Sequence, residues 1–503
     1  MTDREPRPAT GRQGTATPKP AAQEPEKPVQ DVVAFNPRRS LRRRLAHSGF
    51  WSLVGRFGTM ACVLINYRLV VGLLDDSGVA TYVVALGVAS LATLASASGL
   101  GSAMLRRMSH RRGNDIHDPP GSSVSLLRRV LLLAALSTGV VIAGLAILIV
   151  TNDDFFRQPI APLLTVLLVW IAARTLVTLM TEALRGMQWF SLAAMSGGQQ
   201  EGPLVQTAVM LALILGASRI DTIESVLWVH AAASWSVALV TLAAVTVRSQ
   251  KADRRWRSGS ARAMSTPPSL STLGFESGKV LISQLSVFGI VEFETILIGR
   301  YCDDASVSVW GLIRRLIMFV SAPLLLVNAA IPSFVAQMHG RGEIRKMEQL
   351  LRASATLATF PSLVALVLLA VAGPWIFGAY EFSPKLGYGP LIVLASANVA
   401  FVVAGSGGLA LRMSDRQGWS TLVAIALAVT YVVIAPWVIR EYGILGAALL
   451  SSALVLARNL IATGLVRSLL GIWCFATLSP RGVWQTIQTL KRGKRKTAQP
   501  GGS

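Results

Sequence analysis

The stretch QLSVFGIVEFETILIGRYCDDASVSVWGLIRRLIMFVSAPLLLV, residues Gln284–Val327, decides how the chain is read. It contains an apolar span, a tight acidic turn at Asp303-Asp304, and a second apolar span. Glu292 and Glu294 lie inside the first span, and Arg314-Arg315 follow about nine residues beyond the turn. At about 1.5 Å per helical residue the arginines are roughly 14 Å deep, near the middle of a bilayer core about 30 Å thick. One arginine at that depth costs about 2.5 to 3.5 kcal/mol on insertion scales, so an adjacent pair requires a physical reason.

The stretch has a twin. Asp303-Asp304-Ala305-Ser306-Val307-Ser308-Val309-Trp310 aligns in register with Asp75-Asp76-Ser77-Gly78-Val79-Ala80-Thr81-Tyr82. The same offset, to within one position, relates Ala183-Leu184-Arg185 to Ala410-Leu411-Arg412. Each of these triplets closes an apolar span and precedes a Trp and a Ser (Trp189, Ser191; Trp419, Ser420). Basic segments, Ser109–Gly113 and Met338–Gly342, follow the second span of each half. A chain of two homologous halves is the reading that unites these matches.

Hydrophobic residues make up 52% of the 503 and charged residues 15%, which with a mean hydropathy of +0.52 excludes an ordinary soluble domain. About twelve apolar spans are expected, at 48–73, 80–105, 126–150, 160–184, 198–216, 222–247, 275–300, 305–337, 350–373, 387–411, 417–439 and 443–467. The fold class is therefore an all-α polytopic membrane protein of two homologous six-helix halves. Pro323 and Pro332 are expected to bend the eighth span.

The net charge of +22 does not indicate a nucleic-acid partner, because its basic residues fall on alternate loops. Arg38, Arg39 and Arg42–Arg44 precede the first span, Arg106, Arg107, Arg111 and Arg112 follow the second, and Arg248–Arg257 follow the sixth. Arg341, Arg345 and Lys346 follow the eighth, and Lys491–Lys496 lie near the end, whereas the intervening turns are short and acidic. That alternation places both termini in the cytosol. Five regions follow: a disordered basic tail (1–44), the first lobe (45–250), a basic linker (251–274), the second lobe (275–470), and an interfacial helix with a polybasic tail facing the anionic cytoplasmic leaflet (471–503).

No cofactor or metal is expected, since Cys62, Cys302 and Cys474 lack ligand spacing and the five histidines are scattered. Gly274-x-x-x-Gly278-Lys279-Val280 is one residue short of a phosphate loop and has Val where Ser or Thr belongs. Asp75-Asp76 and Asp303-Asp304 could serve a polyprenyl-sugar-dependent glycosyltransferase, but an Asp opening a helix is also the ordinary N-cap. No enzymatic activity is read from the chain.

The buried charges carry the functional reading. Arg174 lies mid-span in the fourth helix with Thr178 and Glu182 on the same face, Arg314 and Arg315 in the eighth, and Arg458 with Asn459 in the twelfth. Arg56 is shallower in the first span and Arg68 is near its outer end. Pairing or snorkelling accounts for both, with Arg56 retained in the cavity set. Membrane-depth carboxylates are too few to neutralise Arg174, Arg314, Arg315 and Arg458, which implies a wet cavity for an anion; guanidinium suits bidentate phosphate binding. Glu292 and Glu294, about 200° apart around a helix, are candidates for ion coupling, with a fixed pair to Arg68 as the competing reading. The second span, at Ala85, Gly87, Ala89, Ser90, Ala92 and beyond, is small on nearly every face, which suits close helix packing.

Ser48-Gly49-Phe50-Trp51-Ser52-Leu53-Val54-Gly55-Arg56, the turn Leu73–Tyr82, and Gly99-Leu100-Gly101-Ser102-Ala103 resemble the polysaccharide-exporter branch of the multidrug/oligosaccharidyl-lipid/polysaccharide flippase superfamily. The turn departs from the family pattern at Val79 and lacks its usual proline. The resemblance covers about residues 45–470. It implies a bacterial inner (plasma) membrane location and two six-helix lobes around a central cavity, lined by the first, second, seventh and eighth helices, that rock between inward- and outward-open states. It also implies an isoprenoid-diphosphate-linked oligosaccharide as substrate, and an H+ or Na+ gradient or the membrane potential as driving force. The multidrug branch, whose substrates are cations, is the alternative that Glu292 and Glu294 support.

The topology is testable by cysteine scanning. Cysteines at Ser77 and Asp304 should react with an impermeant thiol reagent from outside, and those at Ser109, Ser258 and Arg345 only after permeabilisation; external labelling at Ser258 would overturn the scheme.

Overall fold

The structure is a computed structural model that describes residues 37–477, apart from 98, 111–122, 153–154, 188, 198–203, 217–219, 258–268, 332–334, 336–337, 340–341 and 415–416. Residues 1–44 and 45–503 form separate compact units. Of the first, only residues from Pro37 onward are described, and they are helical. Most of the tail expected at 1–44, Ser258 of the linker and the amphipathic stretch at 483–490 lie outside the described residues.

Fifteen α-helices are described: α1 Pro37–Leu73, α2 Asp76–Ala97, α3 Leu100–His110, α4 Ser123–Thr151, α5 Leu164–Gly186, α6 Phe190–Ser196, α7 Leu204–Gly216 and α8 Ile223–Arg257. The second half contributes α9 Leu270–Gln284, α10 Ile290–Tyr301, α11 Asp304–Ala330, α12 Ile344–Ala379, α13 Pro384–Ala404, α14 Gly407–Met413 and α15 Gln417–Leu470. Among the described residues, ten helical segments are long and apolar enough to cross a membrane. One of them, Gly418–Leu470, is 53 residues long, roughly 80 Å if straight and far more than a bilayer needs. Gly443 leaves helical geometry there (φ 57°, ψ −146°), so α15 holds two of the expected spans. The shorter apolar helix α7 falls within the expected fifth span.

Three boundaries differ from the sequence reading. The span expected at 80–105 is broken at Gly99, whose φ of +82° turns the chain from α2 into α3. A Cβ at Gly99 would lie 2.1 Å from the Ser277 carbonyl oxygen, so only glycine permits this backbone-on-backbone approach to α9. The span expected at 387–411 is broken in the same way at Gly405 (φ +76°). The basic linker is shorter than 251–274, because α8 runs to Arg257 and α9 starts at Leu270, capped by the Ser269 hydroxyl. Apolar periodicity missed these breaks because a single glycine leaves composition unchanged.

The seventh span is interrupted at mid-length by a π-helical turn, Leu285–Gly289, between α9 and α10. Its first half packs chiefly against α3, with further contacts to α4, α15 and α2, and its second against α2 and α15. This span therefore lies between the two halves of the chain. The carboxyl of Asp75 accepts from the Gly78 amide at 3.0 Å and the Ser77 hydroxyl at 2.9 Å, so it acts as a cap, as its position before α2 suggests.

The halves share an extensive apolar core at the acidic-turn end. It unites Tyr67, Val79–Val84 and Trp170 of the first half with Ile296–Ile298, Trp310 and Tyr431 of the second. Glycines allow the approach: a Cβ at Gly299 would stand 2.4 Å from Val84 Cγ2, and one at Gly311 would stand 2.6 Å from Val83 Cγ2. Polar contacts rim this core. Arg157 Nη1 donates to the Cys302 carbonyl (3.0 Å), Arg300 Nη1 to the Phe155 carbonyl (2.5 Å), and Tyr380 Oη to the Leu64 carbonyl (2.9 Å).

At the basic-loop end the cores are separate. One joins Met104, Leu126, Met180, Leu184 and Val245, with Leu273 of α9, and the other joins Val335, Met347, Leu351, Leu411 and Val466. Residues 471–477 are extended rather than helical and run along the second core. The Ala476 amide donates to the Val403 carbonyl (2.9 Å) and the Thr477 amide to Thr356 Oγ1 (2.8 Å).

Gly299→Ala should destabilise the closed end by about 1 to 3 kcal/mol through overpacking. Gly278→Ala, where nothing lies within 4 Å, should be neutral or stabilising by up to about 1 kcal/mol. Thermal unfolding in one detergent compares the two directly.

Candidate functional site

The intramembrane charges gather where α2, α5, α8, α10 and α11 approach one another. Their helices leave room because α2 is built of small residues: Gly87 sits against Thr295 and the Glu292 carbonyl of α10. Arg315, on α11, is the most enclosed by partners. Its guanidinium carbon lies 3.8 Å from the ring centroid of Tyr67 on α1 and 6.0 Å from that of Tyr82 on α2. It makes a polar contact with the Tyr82 phenol, and Nη1 donates to the Gly311 carbonyl at 2.5 Å. Both tyrosines are buried. Tyr67 in turn donates its hydroxyl to the Ser308 carbonyl of α11 at 2.6 Å.

Arg174, on α5, is half-buried, with Nη1 donating to Ser90 Oγ of α2 at 3.1 Å and its guanidinium 5.2 Å from the Trp170 ring centroid. Thr178 donates to the Arg174 carbonyl (2.9 Å), and Glu182 accepts from Arg185 (3.0 Å), so the expected polar stripe exists but its carboxylate is occupied by its own neighbour. Arg314 makes an ion pair with Glu292 at 3.7 Å, both side chains partly exposed. Glu292 is also within electrostatic reach of Arg174.

Glu294 faces elsewhere, since two residues turn a helix by about 200°. It is buried, accepts a hydrogen bond from the Ser451 hydroxyl of α15, and has Tyr431 alongside. The pairing of Arg68 with Glu292 or Glu294 does not occur. Arg68 pairs with Glu381 at 2.7 Å, at the exposed acidic-turn end, because its position near the end of α1 puts its long side chain beyond the membrane-depth carboxylates.

Arg458 and Arg56 are set against other helices. Arg458 lies over Phe401 of α13, 5.9 Å from its centroid. Arg56 is buried on α1 beside Gly55, where a Cβ would meet the Ala194 carbonyl of α6 at 2.6 Å. Depth counting placed Arg174, Arg314 and Arg458 on one level but carried no information about azimuth.

Sequence reading missed His230. It is buried on α8, hydrogen-bonded through Nε2 to the Tyr82 phenol (2.9 Å), 4.8 Å centroid to centroid from Trp170, and within electrostatic reach of Arg174 and Arg315. Its mid-span position among apolar residues was the available signal. Around the cluster, three guanidiniums (Arg174, Arg314, Arg315) meet two carboxylates, one of which is turned onto Ser451. Among the described residues no group of His, Cys, Asp and Glu could hold a metal ion.

An all-helical bundle with paired halves and a charged interior seam defines a polytopic membrane protein with a MATE-like transporter fold. The MatE family model matches residues 280–439. No curated sequence matches the chain. Among solved structures, the chain is similar to a multidrug resistance MATE family transporter of the MOP superfamily in an inward-facing conformation. That pair has a TM-score of 0.62 and 14% identity, over 90% of this chain and 100% of the other. It is also similar to the lipid II flippase MurJ in an inward closed conformation, with a TM-score of 0.61 and 12% identity over 90% and 94%. A MOP superfamily transporter from Pyrococcus furiosus, whose binding pocket of reverse polarity suggests a different function, matches with a TM-score of 0.57 and 15% identity over 86% and 96%.

Proposed function

We propose that this protein is a flippase that moves an isoprenoid-diphosphate-linked saccharide across the plasma membrane by alternating access. The observation that carries the proposal is the excess of guanidinium at the seam: Arg174 and Arg315 converge on the Tyr82–His230 pair while Glu292 is engaged by Arg314. A cation substrate would meet repulsion there, whereas a diphosphate would meet groups suited to bidentate contact. The similarity to MurJ, a lipid II flippase, supports a lipid-linked cargo. On the charge reading the basic-loop end is cytosolic, the side on which such lipids are built. The saccharide stays in the wet cavity, the prenyl chain stays in lipid between the halves, and an H+ or Na+ gradient or the membrane potential drives the cycle.

Replacing Arg174 or Arg315 by Ala should lower affinity for the diphosphate lipid by about 2 to 3 kcal/mol, roughly 30- to 150-fold. Arg→Lys should restore part of the loss, since ammonium keeps the charge without the fork. Arg314→Ala and Arg458→Ala should cost less, because Arg314 already pairs with Glu292 and Arg458 is turned to Phe401. Transport in vesicles by expressed variants, with cytosolic Arg345→Ala as control, reads this. Normal transport by both Arg174→Ala and Arg315→Ala would remove the cationic site.

A second reading, a multidrug cation antiporter, draws on Glu294, a buried carboxylate whose hydrogen-bond partner is a neutral hydroxyl. In that case Glu294→Gln should abolish proton-coupled efflux of a cationic dye. In the flippase it should leave diphosphate-lipid binding intact, altering at most the pH dependence of transport.

A further inference from the structure

Arg315 belongs to the second half of the chain, but its aromatic partners, Tyr67 and Tyr82, belong to the first. A guanidinium 3.8 Å above a tyrosine ring is an attractive contact, and exclusion of water strengthens it. The contact is continuous with the closed end. Tyr67 bonds the Ser308 carbonyl on the same helix as Arg315, and its ring lies 6.0 Å from that of Tyr380, whose hydroxyl bonds the Leu64 carbonyl. Arg315 is only half-buried, so a face of it remains reachable from the seam.

We propose that Tyr67 and Tyr82 are positioning residues that hold Arg315 as a tie between the two halves, and that an anionic lipid headgroup in the seam competes for the same guanidinium. The inference rests on the flippase reading given above. Binding draws Arg315 from the tyrosines to the anion, and the loss of that tie loosens the Tyr67–Ser308 contact and with it the closed acidic-turn end. The ligand thereby triggers the opening through which it leaves. Differential interaction with the two states is what any ligand-driven transition requires, and Arg315 supplies it: the tyrosines satisfy it in the closed state and the anion in the open one.

Competition predicts effects of opposite sign. Arg315→Ala removes the anion contact and the tie together, so binding weakens and the end opens more readily. Tyr82→Phe and Tyr67→Leu keep the guanidinium and remove contacts that restrain it, together with the bonds to His230 and Ser308, so binding tightens while the end again opens more readily. A merely structural role for the tyrosines would weaken binding in every variant.

Cys302 reports the opening. It is buried at the acidic-turn end, its carbonyl receives Arg157, and burial, with a smaller contribution from the Asp303 charge, pushes its thiol up to about 11, so it reacts slowly while enclosed. In full-length protein carrying Cys62→Ala and Cys474→Ala, reconstituted in phosphatidylcholine vesicles, the rate of labelling by an impermeant maleimide is measured with and without geranylgeranyl diphosphate, and its Kd is measured in parallel. The unsubstituted site should show a severalfold rise in labelling on ligand addition. Tyr82→Phe and Tyr67→Leu should label faster without ligand and bind about 3- to 10-fold more tightly. Arg315→Ala should label fast, bind at least about 30-fold more weakly and no longer respond.

Two results overturn the tie while leaving the flippase reading in place: tyrosine variants that bind with unchanged or lower affinity, or labelling indifferent to all three substitutions while geranylgeranyl diphosphate still binds through Arg174. Failure of the parent protein to bind geranylgeranyl diphosphate, or a short-chain prenyl diphosphate saccharide, removes the flippase reading and the tie together.

Discussion

A guanidinium in the middle of a membrane must be hydrated, paired or placed over a π face, and Arg315 imposes that constraint on everything around it. It explains why α1 and α2 present tyrosines at one level, why those phenols bond across to Ser308 and His230, and why α11 carries Gly311 where Val83 and Tyr67 press closest. Arg174 is a second solution to the same problem, met by Trp170 and the Ser90 hydroxyl rather than by a carboxylate. The hydrogen bonds described for both go to neutral groups, with Glu292 also within electrostatic reach of Arg174.

The architecture distributes cohesion unevenly. Lipid offers no hydrophobic drive between helices, so the halves adhere through close packing at small residues and through hydrogen bonds. Both are concentrated at the acidic-turn end, where Gly299 and Gly311 admit neighbouring side chains and Arg157 and Arg300 bond carbonyls of the opposite half. At the basic-loop end there are two apolar cores, and α9 of the second half joins the first of them through Leu273 and the approach of Gly99 to Ser277.

The seventh span connects the two regimes. Its π-helical turn separates a segment set chiefly against α3 from one set against α2 and α15, and Glu292 and Glu294 follow immediately. A mid-helix irregularity of this kind shifts the azimuth of every later residue. It fixes the destinations of the two glutamates: Glu292 to Arg314 within the seam, and Glu294 to Ser451 within the second half.

The helical class and the repeat at Asp75 and Asp303 were legible in the residues alone, because hydropathy and residue pattern are local quantities. Azimuth and partnership are not local. The sequence put Arg174, Arg314 and Arg458 at one depth, and tertiary structure alone decided that the first two meet at the seam while Arg458 turns to Phe401. Arg68 could be matched with Glu292 on paper; the fold gave it Glu381, 313 residues away, because the end of α1 lies beside the loop after α12. His230 carried no motif and became a member of the cluster only when α8 packed on α2 and α5. The breaks at Gly99 and Gly405 belong to the same class, since a glycine's freedom is used only where another segment's backbone, the Ser277 or the Cys474 carbonyl, comes too close for a side chain.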